Sequence, residues 1–126
     1  MKKFLLFMLV IVSVNAANMY FNAFVDIKKA KRLLNSNPEQ AQRLFIEAYS
    51  FLKQVVNTSI DENKPSANAF NLLGELYLNG WGVDQDKEKA IKFFCAAEKL
   101  GNSKAKKTIQ KLNATCGTIN IKELKQ

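Results

Sequence analysis

The sequence predicts an all-α fold, a short α-α solenoid of about five helices, on three observations. Apolar residues recur at helical spacing in two neighbouring stretches: Ala69, Leu72, Leu73, Leu76 and Tyr77, then Ala90, Ile91, Phe93, Phe94, Ala97 and Leu100. Between them, Asn79-Gly80-Trp81-Gly82 holds two glycines that permit the positive φ values of a tight reversal. Parts of the same pattern also recur on either side. A shift of 49 sets Asn37 on Asp86, Ala41 on Ala90, Leu44-Phe45 on Phe93-Phe94 and Ala48 on Ala97, and Ala105 lies 36 residues after Ala69.

From the N-terminus, Met1-Lys2-Lys3 is a short positive segment, and Phe4 to Val14 is apolar apart from Ser13. Val14-Asn15-Ala16 then offers small residues at −3 and −1 of a cleavage site, so residues 1–16 read as a secretory signal peptide. The apolar run is well short of the roughly 20 residues that span a bilayer. The competing reading is a buried N-terminal helix. On the first reading the mature chain is a single domain, 17–126, exported to the periplasm or secreted.

The first helix is expected over Met19–Asn35, with Tyr20, Phe24, Ile27, Ala30, Leu33 and Leu34 on one side and Lys28, Lys29, Lys31 and Arg32 on the other. Asn37-Pro38-Glu39-Gln40 is a helix start, with an asparagine cap and proline at the first helical position. The second helix carries Ala41, Leu44, Phe45, Ala48, Phe51, Leu52 and Val55, and a polar loop is expected at Asn57–Lys64. The third and fourth helices form the hairpin around Gly80, with Asp86 as N-cap and Gly101 at the C′ position. Gly74 sits inside the third helix, where glycine costs roughly 1 kcal/mol against alanine; a close backbone approach explains it, with Ala90 and Ala97 as the small residues to receive it. Ser103 is expected to cap a last helix whose apolar face is Ala105, Ile109 and Leu112, and Thr118–Ile121 to form a short extended tail.

Ala69…Leu73-Gly74…Tyr77…Gly80-x-Gly82-Val83…Asp86…Lys89-Ala90…Phe93-Phe94…Ala96-Ala97…Gly101…Ala105 resembles the Sel-one-like repeat, a relative of the tetratricopeptide repeat. The best repeat is 69–104. The hairpin before it reads as a degenerate repeat that lacks Gly-x-Gly. The helix after it reads as a cap, with Gln110 where the motif has glycine and Asn113 where it has tyrosine. The resemblance implies a scaffold that binds proteins or peptides rather than an enzyme. A second reading comes from secreted cysteine-rich proteins built of similar repeats, associated with β-lactams and cell-wall fragments; those carry a cysteine pair in each repeat, whereas this chain has one pair.

The formal net charge is +8, and from Lys99 onward seven lysines face one acid, Glu123. Such an end favours acidic partners or is an ordinary solvated surface. Two arginines and no reading motif argue against nucleic acid in an exported chain. Cys95 and Cys116 are expected to form one disulfide, provided the chain folds back beyond Asn113. No histidine is present to serve as a base or activate a thiol, and no metal or cofactor motif appears. Asn57-Thr-Ser59 and Asn113-Ala-Thr115 match the glycosylation pattern and are read as chance.

Solenoids bind along the face lined by the first helix of each pair. There, Asn68, Asn71, Glu75 and Asn79 share one side, and Lys104, Lys107 and Lys111 take the corresponding side of the last helix. The face suits a peptide with acidic groups or a free carboxylate. Trp81 is either an exposed anchor or a cover over Leu78 or Val83. The function expected is a non-enzymatic adaptor, scaffold or inhibitor.

Overall fold

In a computed structural model the backbone is described from Lys2 and the side chains from Ala17 to Gln126. Of the leader expected over residues 1–16, only the backbone from Lys2 is described, as the start of the first helix, and its side chains lie outside the description. Five α-helices follow one another: α1 Lys2–Leu33, α2 Pro38–Asp61, α3 Ala67–Asn79, α4 Lys87–Lys99 and α5 Ser103–Lys111. A 3₁₀ turn, Ile121–Leu124, completes the chain, and no strand occurs among the described residues. α1 packs on α2 and α3 on α4 as antiparallel hairpins; α2 against α3 joins them, and α5 packs on α4. This is the short α-α solenoid expected.

The ends of the helices follow local chemistry. Asn37 Oδ1 accepts from the Gln40 N–H at 3.2 Å, Ser66 Oγ from Ala69 at 3.2 Å and Asp86 Oδ1 from Lys89 at 3.0 Å, each satisfying one of the first-turn donors a helix leaves open. At the other end of α4, Gly101 N–H reaches Glu98 O and Asn102 N–H reaches Ala97 O, the paired bonds of a Schellman stop. Asn63 and Asn113 play the same part after α2 and α5, at φ 56° and 53°. Both glycosylation-pattern asparagines are thereby engaged: Asn113 ends a helix, and Asn57 lies inside α2 bonded to Gln126.

Three sequence expectations change within the helices. α2 does not stop for a polar loop at Asn57. It runs to Asp61, because Val55, Val56, Ser59 and Ile60 present one buried face that the rest of the protein covers. The cap of α5 is Asn102 rather than Ser103: its Oδ1 accepts from Ala105 N–H at 2.9 Å, and its Nδ2 donates to Asn68 at 3.0 Å. Gly74 receives not Ala90 or Ala97 but the ring of Phe94, whose Cε1 would stand 2.9 Å from a Cβ added there. Phe94 is fully buried, and burial of a ring of that size contributes about 1.5–3 kcal/mol.

The core is continuous across both hairpins. Phe45 and Leu52 of α2, Phe70, Leu73 and Leu76 of α3, and Phe93 of α4 have no solvent exposure. After α5 the chain folds back, and Cys116 bonds to Cys95 of α4 as expected. Beyond it Lys99 holds the Ile119 carbonyl at 3.1 Å, and Leu124 is buried. Gln126 side-chain oxygen accepts from Tyr77, whose hydroxyl lies 2.9 Å from that of Tyr49. The expected extended tail is thus irregular backbone ending in a 3₁₀ turn that closes over α2 and α4.

One partly buried carboxylate opposes this packing. Asp26 on α1 has an Oδ2 without solvent contact or a partner among the described residues. Burial, then the Glu47 carboxylate, raise its pKa above 3.8, against a smaller opposing effect of Lys29. A raised native pKa means that the folded state prefers the protonated acid. The stability it contributes is present below the unfolded pKa and is lost as pH rises through the native one. Asp26→Asn is therefore expected to melt higher than the wild type at pH 7, with the difference closing as pH falls toward 3; thermal melts across that range check it.

Candidate functional site: a groove over the third helix

α1, α3 and α5 are the first helices of successive units, and they line one side of the molecule. Between α1 and the start of α5, with α3 as its floor, lies a groove of about 340 Å³. Tyr20 and Phe24 come from α1, Asn68, Asn71 and Leu72 from α3, and Gly101, Asn102, Ser103 and Lys104 from the turn into α5. The groove's shape depends on Asn102. By capping α5 and gripping Asn68 at once, it fixes the first turn of α5 against the first turn of α3.

Asn71 is the singular residue of the groove. It is 5 % exposed, and its Oδ1 has no hydrogen-bond partner among the described residues. Leaving such an atom unsatisfied costs about 1–3 kcal/mol, so the fold carries it at a loss. The N–H groups of Ser103 and Lys104, at the first two positions of α5, also have no partner among the described residues. Lys104 also lines the groove, and no carboxylate does. Burial pushes the Tyr20 phenol up, so it stays neutral and keeps its proton. The groove therefore offers donors at one end and an apolar wall of Phe24, Tyr20 and Leu72, while the Asn71 Oδ1 lies sealed beneath its floor.

The residues expected on this face separate into groups. Asn68, Asn71 and Lys104 come together in the groove. Glu75, a turn further along α3, is half-buried under α1 and pairs with Lys31 at 3.3 Å. Asn79 bonds back to the Glu75 carbonyl and lines a different depression with Gln42, Ile46 and Gly82. Eleven residues separate it from Asn68, about 16 Å of helix, which is why one face serves two sites. Lys107 and Lys111 are exposed on α5 outside the groove lining. Trp81 has a partner neither sequence reading named: its ring stacks on Phe45 of α2 with centroids 4.8 Å apart, and Lys31 lies over it at 5.5 Å. It joins the two hairpins.

Tyr20, Phe24, Asn102 and Ser103 were not foreseen as site residues. The two aromatics sit on the apolar side of α1, and nothing in their spacing separates a core position from a groove wall. Asn102 carried a local signal, an asparagine three residues after the last residue of α4 and three before Ala105.

Among the described residues no group of three His, Cys, Asp or Glu side chains is placed to hold a metal ion, and neither cysteine is free. No helix among them is long and apolar enough to cross a membrane.

A model of the Sel1 repeat matches residues 15–50 and 67–102, more than half of the chain. The chain belongs to the Sel1 repeat family. The first match covers the α1–α2 hairpin, the degenerate repeat, and ends inside α2; the second covers the α3–α4 hairpin. α5 follows the second match as the capping helix. Comparison with curated proteins found no match, and comparison with solved structures found none. Sel1 repeats are generally protein-interaction modules, consistent with an adaptor or scaffold role.

Proposed function

We propose that this Sel1 repeat protein is an exported, non-enzymatic adaptor or inhibitor that binds a peptide segment of a protein partner in the groove over α3. The observation that carries this is the groove itself: Asn68, Asn102 and Lys104 set polar groups against the apolar wall of Tyr20, Phe24 and Leu72, on the face lined by the first helix of each pair. A peptide supplies backbone N–H and C=O groups for such polar side chains at every residue. Lys104, with no acid facing it, favours partners with acidic groups or a carboxylate. Export is supported by the leader composition and by the Cys95–Cys116 pair, since such bonds persist in oxidising compartments. Glu75, Asn79, Trp81, Lys107 and Lys111 would then frame the site or serve other contacts rather than line it.

The test is selection of random displayed peptides on the immobilised protein, followed by Lys104→Glu. This side chain is exposed, so the fold should survive, which circular dichroism checks. Enriched peptides are expected to bind the variant at least tenfold more weakly. Peptides that bind both proteins alike, or no enrichment at all, would overturn the groove assignment; binding of a β-lactam or a cell-wall glycan instead would move the function to small ligands.

A further inference from the structure

We infer that the protein carries a second peptide-binding site, on the side lined by α2 and α4, and that its own residues Leu124–Gln126 occupy it in place of a partner segment of the pattern apolar–basic–glutamine. Each of these three consecutive residues is read by a separate partner. Leu124 is buried against the core. The Lys125 ammonium meets Asp61 of α2 at 2.7 Å. The Gln126 side-chain oxygen accepts from the Tyr77 hydroxyl at 3.0 Å. Asn57 of α2 reads the backbone as well: its Nδ2 donates to the Gln126 carbonyl at 2.9 Å, and its Oδ1 accepts from the Gln126 N–H at 2.6 Å. Main-chain bonds that hold any residue, joined to side-chain contacts that choose among them, are how proteins recognise extended peptides.

The segment is lightly attached to the rest of the fold. Leu124 is the one buried side chain after Ile109, and residues 115–118 are exposed and belong to no helix. A cleft of about 390 Å³ runs between the segment and Asp86, Lys89 and Lys92 of α4, so the seat is wider than its present occupant. Exchange costs few contacts, because an incoming segment of the same pattern remakes each bond the internal one gives up. What opposes it is tethering. Attached at Cys116, the internal segment competes at an effective concentration on the order of millimolar. Weakening the internal segment therefore strengthens the hold on an external one.

The probe is the fluorescein-labelled peptide Asn-Ile-Lys-Glu-Leu-Lys-Gln carboxamide, the sequence of residues 120–126, titrated into the full chain and followed by fluorescence anisotropy. Leu124→Ser is expected to bind it about tenfold tighter than the wild type does, because its own segment no longer competes. If circular dichroism shows that variant unfolded, Lys125→Ala, an exposed change, takes its place, with a several-fold gain expected. Adding Asp61→Lys, also exposed, should weaken the probe several-fold, and a probe with glutamate for its second lysine should recover the loss. A segment with a purely structural role would not show that reversal. Lys104→Glu, the variant that tests the α3 groove, should leave the probe's affinity unchanged, so the two sites fail separately. No saturable binding to a folded variant, or binding that Asp61→Lys leaves unaltered, would overturn the inference and make Leu124–Gln126 a seal on the core. A wild-type dimer that forms as concentration rises and that the probe dissociates would give the seat to a second copy of the chain and overturn the partner reading.

Discussion

Gly82→Ala is expected to destabilise the protein by about 3 kcal/mol or more, far beyond what the same change costs at Gly80. Both glycines have positive φ, 66° at Gly80 and 74° at Gly82, where an L side chain costs roughly 1–2 kcal/mol. What separates them is the neighbour. A Cβ on Gly80 would meet the Gln85 side chain at 3.3 Å, a contact that small movements relieve. On Gly82 it would stand 2.4 Å from the Phe45 carbonyl carbon and 2.6 Å from the Ile46 nitrogen, backbone atoms in the middle of α2. A helix backbone does not yield by that much, so the loop must lift. Lifting it separates Trp81 from Phe45, a stacked pair worth about 0.5–1.5 kcal/mol beyond its buried area, and overpacking itself costs about 1–3 kcal/mol. Urea denaturation of both variants measures the difference. If Gly82→Ala falls no further than Gly80→Ala, the close seating of this loop on α2 does not hold the two hairpins together.

This also explains what the first hairpin lacks. α1 and α2 are joined by a short turn, Leu34–Asn37, with no Gly-x-Gly, and no further unit packs on its outer side among the described residues. In the second hairpin the double glycine does more than reverse the chain, since Gly82 brings the loop onto the backbone of the preceding unit. The glycines were legible in the sequence as a turn; their second use was not, because the atoms they approach lie 37 residues earlier.

The same division runs through the rest of the molecule. Caps at Asn37 and Asp86 were readable because capping involves residues three apart. Asn102 was displaced by Ser103 in the sequence reading because its advantage is a bond to Asn68, 34 residues away. The extension of α2 through Asn57-Thr58-Ser59 goes against the polar, turn-like composition of that stretch, and tertiary cover from Leu124 and Gln126 decides it. At the groove, periodicity put Asn68, Asn71, Glu75 and Asn79 on one side of α3. It did not distinguish Asn71, sunk to 5 % exposure, from Asn68 and Asn79 in solvent, because the depth of a groove is set by the helices on either side.

Cys116→Ser is expected to cost about 3 kcal/mol in the oxidised protein, and to loosen one part of it before the rest. The bond spans a sequence separation of 21, and closing a loop of that order restricts the unfolded chain by about 3 kcal/mol. Cys116 is exposed and Cys95 is buried in α4, so changing Cys116 leaves the core side chain in place. The segment after Asn113 is then held by the Lys99–Ile119 bond, buried Leu124, the Gln126 contacts and an exposed Lys125–Asp61 pair, of which an exposed ion pair contributes little. Hydrogen exchange should therefore quicken first over residues 114–126 and at Asn57 to Asp61 of α2, which that segment covers, while α3 and the start of α5 keep their protection. Peptide binding in the groove should consequently survive the change, because neither the groove wall nor the cap of α5 touches the tail. If binding were lost with the disulfide, the tail rather than the α3 groove would be the better candidate for the binding surface.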